Sequence, residues 1–204
     1  MKNIVFDFGN IIITFNNKEA VSQFTKSEEE QKFLIENAIG SPEWEGYGLI
    51  DSGYINNEEI ANLVNDRTNN KHKDLVNKFM ANYYKYMNIQ DEVIEIIKKL
   101  KEKGYKIYLL SNTNEFMYQK RIKSIEYLFD GLVLSYRIHA IKPHDAIYKC
   151  LIDTYNLNPE ETLFIDDRQK NIDTAHKFGL KGRKVEPDSV EDIRKVLKEY
   201  EIGE

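Results

Sequence analysis

A chain of 204 residues with 41% hydrophobic and 31% charged side chains has the make-up of a globular protein with one good core and room for an inserted subdomain, which excludes a disordered chain. The net charge of -5 leaves no basic footprint for nucleic acid or anionic lipid, so an anionic substrate has to be drawn by local groups or a metal. A single cysteine, Cys150, excludes an intrachain disulfide and reads as a buried small hydrophobe; with no signal-like N-terminus and no apolar run of the roughly 18 residues a membrane span requires, the expectation is a soluble, cytoplasmic protein with no membrane or nucleic-acid partner.

The first element is an apolar run, Ile4-Val5-Phe6-Asp7-Phe8-Gly9-Asn10-Ile11-Ile12, with one carboxylate inside it. It predicts a buried parallel strand that ends at Phe6 and presents Asp7 at the carboxyl edge, where open α/β sheets bind ligands. A strand-terminal Asp also caps turns, and the stretch alone does not choose between the two. Helical periodicity then takes over, with segments at 20–24, 28–39, 58–64 and 74–86 predicting a small four-helix cap over residues 16–87, inserted into a core of 1–15 and 88–204. Between its second and third helices, Gly40, Pro42, Gly46, Gly48 and Gly53 break any helical pattern and predict a loop anchored by Trp44 and Tyr47.

From Asp91 strands and helices alternate. An amphipathic helix over 91–103, closed by Gly104, leads into a strand over 106–110 that stops at Ser111-Asn112-Thr113-Asn114. A strand over 132–134 follows, then Pro143 at the first turn of a helix over 145–155, and a strand over 162–165 that ends at Asp166-Asp167. A helix over 171–178, an edge strand over 182–185 and a closing helix over 190–200 capped by Ser189 complete the chain. The fold class is α/β: a Rossmann-like parallel sheet with helices on both faces and a helical-bundle cap.

Three strand ends thus bring polar groups to one edge: Asp7, Ser111 with Asn112, and Asp166 with Asp167. Adjacent carboxylates repel, so they need a cation or hydrogen bonds to stay ionised, and Mg2+ suits oxygen ligands shared with waters and phosphate. A solvated turn with one Asp as a helix cap is the alternative for Asp166-Asp167. The four histidines, His72, His139, His144 and His176, have no metal-ligand spacing and are assigned to the solvated surface.

Phe6-Asp7-Phe8-Gly9-Asn10, Leu109-Leu110-Ser111-Asn112-Thr113, Ile141-Lys142-Pro143 and Phe164-Ile165-Asp166-Asp167 followed by Asn171 resemble, in order and spacing, the four motifs of the haloacid dehalogenase superfamily. The first two are similar to those of a bacterial sugar-phosphatase branch that includes α-D-glucose-1-phosphate phosphatases. The resemblance implies phosphoryl transfer from a small phosphorylated metabolite through an aspartyl-phosphate, with Asp7 as nucleophile. It implies Ser111, Asn112 and Lys142 around the phosphate, and Mg2+ held by Asp7, Asp166 and the carbonyl of Gly9. Asp167 is expected to orient Lys142 or a metal-bound water, Asn171 to bond Asp167 or to face the loop, and Trp44 to contact substrate or to pack within the cap.

Gly9 departs from the family pattern, which has a second Asp there for acid–base work typically worth ~10²–10⁴-fold. Asp51 and Glu58 of the cap are the candidate replacements. A binding protein of the same fold, if Gly9 abolishes turnover, and a dehalogenase are the rival readings; a dehalogenase has no need of a metal, so Asp166-Asp167 counts against it.

Overall fold

The computed structural model describes residues 1–39 and 45–203, the side chains of 45–47 excepted; Trp44 lies outside the described residues. In chain order the elements are β1 (Asn3–Phe6), β2 (Ile13–Phe15), α1 (Asn17–Ser22), α2 (Glu28–Leu34, continued by a π-helical turn Ile35–Ile39), α3 (Glu45–Asp51), α4 (Asn57–Arg67), α5 (Lys73–Asn82), β3 (Met87–Ile89), α6 (Asp91–Glu102) and β4 (Lys106–Ser111). There follow α7 (Glu115–Lys120), β5 (Gly131–Leu134), α8 (Ser135–Ile138), α9 (Asp145–Tyr155), β6 (Thr162–Asp166), α10 (Gln169–Lys177), β7 (Lys181–Lys184) and α11 (Val190–Glu199).

Five strands form one parallel sheet in the order β5-β4-β1-β6-β7, so β1 lies at its centre with Val5 opposite Tyr108 on one side and Phe164 on the other. Residues alternate between faces, as strand geometry requires. Ile4, Phe6, Ile107, Leu109, Leu163 and Ile165 pack with Val93 and Ile97 of α6 and Ile193 of α11. Val5, Tyr108, Leu110 and Phe164 pack with Tyr148 and Leu151 of α9 and Ile172 and Ala175 of α10. A third cluster, built on Leu34, Ile60, Val64, Val76 and Phe79, belongs to the helices between β2 and β3.

Several expectations need correcting. The stretch read as a loop contains α3, and the inserted segment carries five α-helices among the described residues rather than four. Ile50 at 3% exposure holds α3 in the third cluster, so tertiary burial outweighs the cost of Gly46 and Gly48. Its chain enters and leaves through an unforeseen antiparallel ribbon, β2 with β3, in which Phe15 faces Met87. Pro143 precedes α9 rather than opening it, because His144 is the N-cap and its ring accepts from the N–H of Ala146. Cys150 is half-buried beside Thr154 rather than enclosed. The remaining histidines also hold structure together: His139 Nδ1 lies 2.7 Å from the carbonyl of Ser52, His176 Nε2 lies 3.0 Å from that of Gly182, and His72 stacks edge-on against Phe33.

Candidate active site

The site lies at the carboxyl ends of β1, β4 and β6. The backbone N–H of Asp7 still bonds Ile165 O at 3.0 Å, so Asp7 is fixed by the sheet although it is one residue past β1. Its carboxylate turns back to accept the N–H of Phe8 at 2.6 Å, and it is 7% exposed. Asp166 is fully buried at the end of β6; its carboxylate accepts from the N–H of Arg168 and from Asn171 Nδ2, both at 2.8 Å. Asn171 is held in turn by Tyr148, whose hydroxyl donates to Asn171 O at 2.9 Å.

Lys142 joins these parts. Its ammonium lies 2.7 Å from Asp7 and 2.7 Å from Asp166, with the residue only 3% exposed. Asn112 clamps its backbone: Lys142 N donates to Asn112 Oδ1 at 2.6 Å, and Asn112 Nδ2 donates back to Lys142 O at 3.0 Å. Burial alone would lower the Lys142 pKa, but Asp166 and Asp7 overcome it and hold the pKa above its ordinary value. Burial pushes the Asp7 carboxyl up to about 7 against the pull of Lys142, with Asp166 and Asp167 adding to the rise. One ammonium facing three carboxylates leaves the site short of positive charge.

Asp7, Asp166 and Asp167 can each turn one oxygen to within 4.8 Å of the others. Such a set of hard oxygen donors, two of them buried, fits Mg2+ rather than a soft metal. The expected roles shift in three places. Lys142 is oriented by Asp7, Asp166 and Asn112, not by Asp167. Asn171 bonds Asp166 instead of Asp167. Asp167 is half-buried and accepts from Asn10 Nδ2 at 2.9 Å, a partner not foreseen. Asn10 has a left-handed φ of 56°, a conformation Asn tolerates, and that residue type was the available signal. Ser111 is 1% exposed at the end of β4, and Asn114 caps α7 by accepting the N–H of Met117.

Above this edge lies a cavity of about 260 Å³ between the sheet and the inserted helices. Gly9, Asn112 and Thr113 line it from below, and Ile50, Asp51, Phe79 and Tyr83 from above. Glu58 is exposed in the first turn of α4 and lines a separate cleft with Asn56 and Glu59. Of the two candidate cap carboxylates, only Asp51 borders the cavity that reaches Gly9.

The sequence pattern of haloacid dehalogenase-like hydrolases matches residues 1–179. The chain is 26% identical over 209 aligned positions to the D-ribitol-5-phosphate phosphatase of Bacteroides thetaiotaomicron, covering 97% of both chains. Its fold matches a haloacid dehalogenase family enzyme from the same organism, solved with magnesium and inorganic phosphate, with a TM-score of 0.76 at 20% identity over 95% of this chain and 98% of that one. It also matches the L-2-haloacid dehalogenase of Xanthobacter autotrophicus with a TM-score of 0.65 at 16% identity, covering 99% of this chain and 84% of that one. The chain belongs to the haloacid dehalogenase-like hydrolases. Within that family it is an enzyme of the phosphatase kind, as its full-length relative and its carboxylate cluster agree.

Proposed function

We propose that this protein is a Mg2+-dependent phosphatase that hydrolyses a small phosphorylated metabolite, a sugar or sugar-alcohol phosphate, through a phosphoryl group carried on Asp7. The observation that carries the reading is Lys142, set 2.7 Å from both Asp7 and Asp166 beside a third carboxylate. An ammonium has three donors. Two are engaged here, and the third is free for a phosphate oxygen beside the Ser111 hydroxyl. Asp7, Asp166 and the carbonyl of Gly9 would hold Mg2+, which would supply positive charge to the phosphoryl group during transfer. Asp7 attacks phosphorus with the carboxylate oxygen that is not paired to Lys142. Asn112 keeps Lys142 in register, and Asn171 with Arg168 N–H keeps Asp166 turned inward. Residues 16–87 act as the cap that covers the leaving group, and Asn112 lies on the substrate's side.

The sugar-alcohol reading rests on the full-length relative named for D-ribitol 5-phosphate and on a cavity wall that mixes Thr113, Asn114 and Tyr83 with apolar Ile13, Phe15 and Phe79. The site's place in a reducing cytoplasm suits a chain with one unpaired cysteine. Phosphate release measured over a panel of sugar, polyol and hydroxy-acid phosphates, with and without Mg2+, tests the reading. Asp7→Asn should reduce release by about a thousand-fold or more with the melting transition retained. Release by the wild type that does not depend on Mg2+, or survives in Asp7→Asn, would sink it.

A further inference from the structure

Cleaving a phosphate ester of an alcohol is helped by a proton delivered to the departing oxygen, and hydrolysis of the resulting acyl phosphate by a base that takes a proton from water; such help is typically worth ~10²–10⁴-fold. Gly9 has no side chain to give it. The backbone at this position is not among those with positive φ, and a Cβ placed on it would meet nothing within 4 Å. The sequence therefore does not carry glycine here to relieve strain. The space that a side chain at position 9 would enter borders the cavity between the sheet and α3, and Asp51 is the one carboxylate among the described residues that line it.

Asp51 is held over the sheet by its own backbone. Its carbonyl accepts from Ser135 Oγ at 2.5 Å, and the same Oγ accepts the N–H of Thr113, at the end of β4, at 2.8 Å. The next carbonyl, that of Ser52, is 2.7 Å from His139 Nδ1, whose ring stacks on Tyr54. Gly53 follows with φ +72°, and a Cβ there would come within 2.6 Å of Tyr136 O, so this approach of cap to core requires glycine. The C-terminal turn of α3 is thus fixed against β4 and α8, with the side chain of Asp51 left to face the cavity rather than to bind the protein.

We infer that Asp51, carried by the cap, is the acid–base residue of this active site and takes the part that no side chain at position 9 can take. The inference rests on the phosphatase reading above. In the first step an Asp7 oxygen bonds phosphorus, the bond from phosphorus to the substrate oxygen breaks, and the proton of the Asp51 carboxyl goes to that oxygen, releasing the alcohol. In the second, water bonds phosphorus, its proton goes to the Asp51 carboxylate, and the bond from phosphorus to Asp7 breaks, releasing phosphate and restoring both residues. Burial pushes the Asp51 carboxyl up to about 7, against the opposing charges of Arg168 and Lys142, so that giving and taking a proton are nearly balanced near neutrality. Tyr83 across the cavity is raised by burial and by Asp51, and stays neutral there.

The test compares the wild type with Asp51→Asn in Mg2+, on p-nitrophenyl phosphate and on ribitol 5-phosphate. A nitrophenolate leaves without a proton, so Asp51→Asn should still release a burst of about one nitrophenol per enzyme, followed by a steady rate at least ~100-fold below wild type. On ribitol 5-phosphate the burst should vanish too. Adding Gly9→Asp to Asp51→Asn should return at least about ten-fold of the lost rate, because the new carboxylate enters the same space. Circular dichroism checks folding, and Asp51→Ser replaces Asp51→Asn if the latter does not fold. A variant with the wild-type preference between the two substrates and no burst overturns the assignment of Asp51. A wild type that releases phosphate from neither substrate, nor from the wider panel, overturns the phosphatase reading instead.

Discussion

The sheet edge and the inserted helices treat buried polar groups in opposite ways. At the edge every buried side chain that the site uses has partners: Asp166 has Lys142, Asn171 and the N–H of Arg168, and Asn112 is bonded both ways to Lys142. Among the described residues the buried side-chain atoms without partners are Asn57 Oδ1, Asn65 Oδ1 and His72 Nε2, all in the inserted segment. A dense network defines one geometry at a high cost for losing any member, whereas a helical bundle with orphan acceptors tolerates rearrangement. Under the function proposed above, the densely bonded edge would hold the phosphate, and the inserted helices would cover the group that carries it and bring Asp51 to it.

Three substitutions probe that contrast. Lys142→Met should have the largest effect, lowering phosphate release by about 10²–10³-fold and stability by about 3–5 kcal/mol, because it leaves Asp7 and Asp166 buried without their counter-charge. Mg2+ should then raise the melting temperature of the variant more than that of the wild type; equal gains would mean that the cation does not sit among these carboxylates. Phe79→Ala, at 1% exposure between Phe24 and Tyr83, should cost about 3–5 kcal/mol measured by denaturant. Hydrogen exchange should place that loss in α1 to α5 while β1, β4 and β6 stay protected, and uniform deprotection would erase the distinction between the regions. Asn65→Leu should change stability least, by under about 1 kcal/mol and in the stabilising direction, since it removes an unsatisfied acceptor and frees only the exposed Asn77. A strong destabilisation there would show that the inserted helices are as finely specified as the sheet edge.

The same contrast governs how much could be read from the sequence. Strands β1, β4, β5 and β6 were legible because each is a short, largely apolar run closed by polar residues, and α11 because periodicity and cap agree, with Ser189 accepting from Asp192 N–H. Asp7 was legible as a candidate because charge inside apolar sequence is costly and needs a reason, whereas Lys142 was singled out only through the resemblance to the family's motifs, and Asp166 only beside Asp7. The partners of Asn171 and Lys142 were not legible, since adjacent residues such as Asp166 and Asp167 point in different directions that spacing cannot reveal. The helix over Glu45–Asp51 was hidden by its glycines, and the ribbon of β2 and β3 by strands of three residues, too short to show a period.

That ribbon bears on how such a protein can change. Phe15 and Met87, the last and first residues of the two crossings, are cross-strand neighbours, and Gln90 ties the exit to the start by bonding the carbonyls of Ile11 and Ile12. Antiparallel neighbours of this kind lie only about 4.5–5.5 Å apart, a gap that a two-residue hairpin closes. All the helices from α1 to α5 hang from one such gap, so they form a cassette that could be lengthened, exchanged or cut out with the strand order and the phosphate edge left intact. Specificity in this lineage can thus be redrawn by swapping one contiguous stretch of gene, with Asp7, Lys142 and Asp166 left in place and only the carboxylate that Asp51 brings from α3 having to be supplied anew.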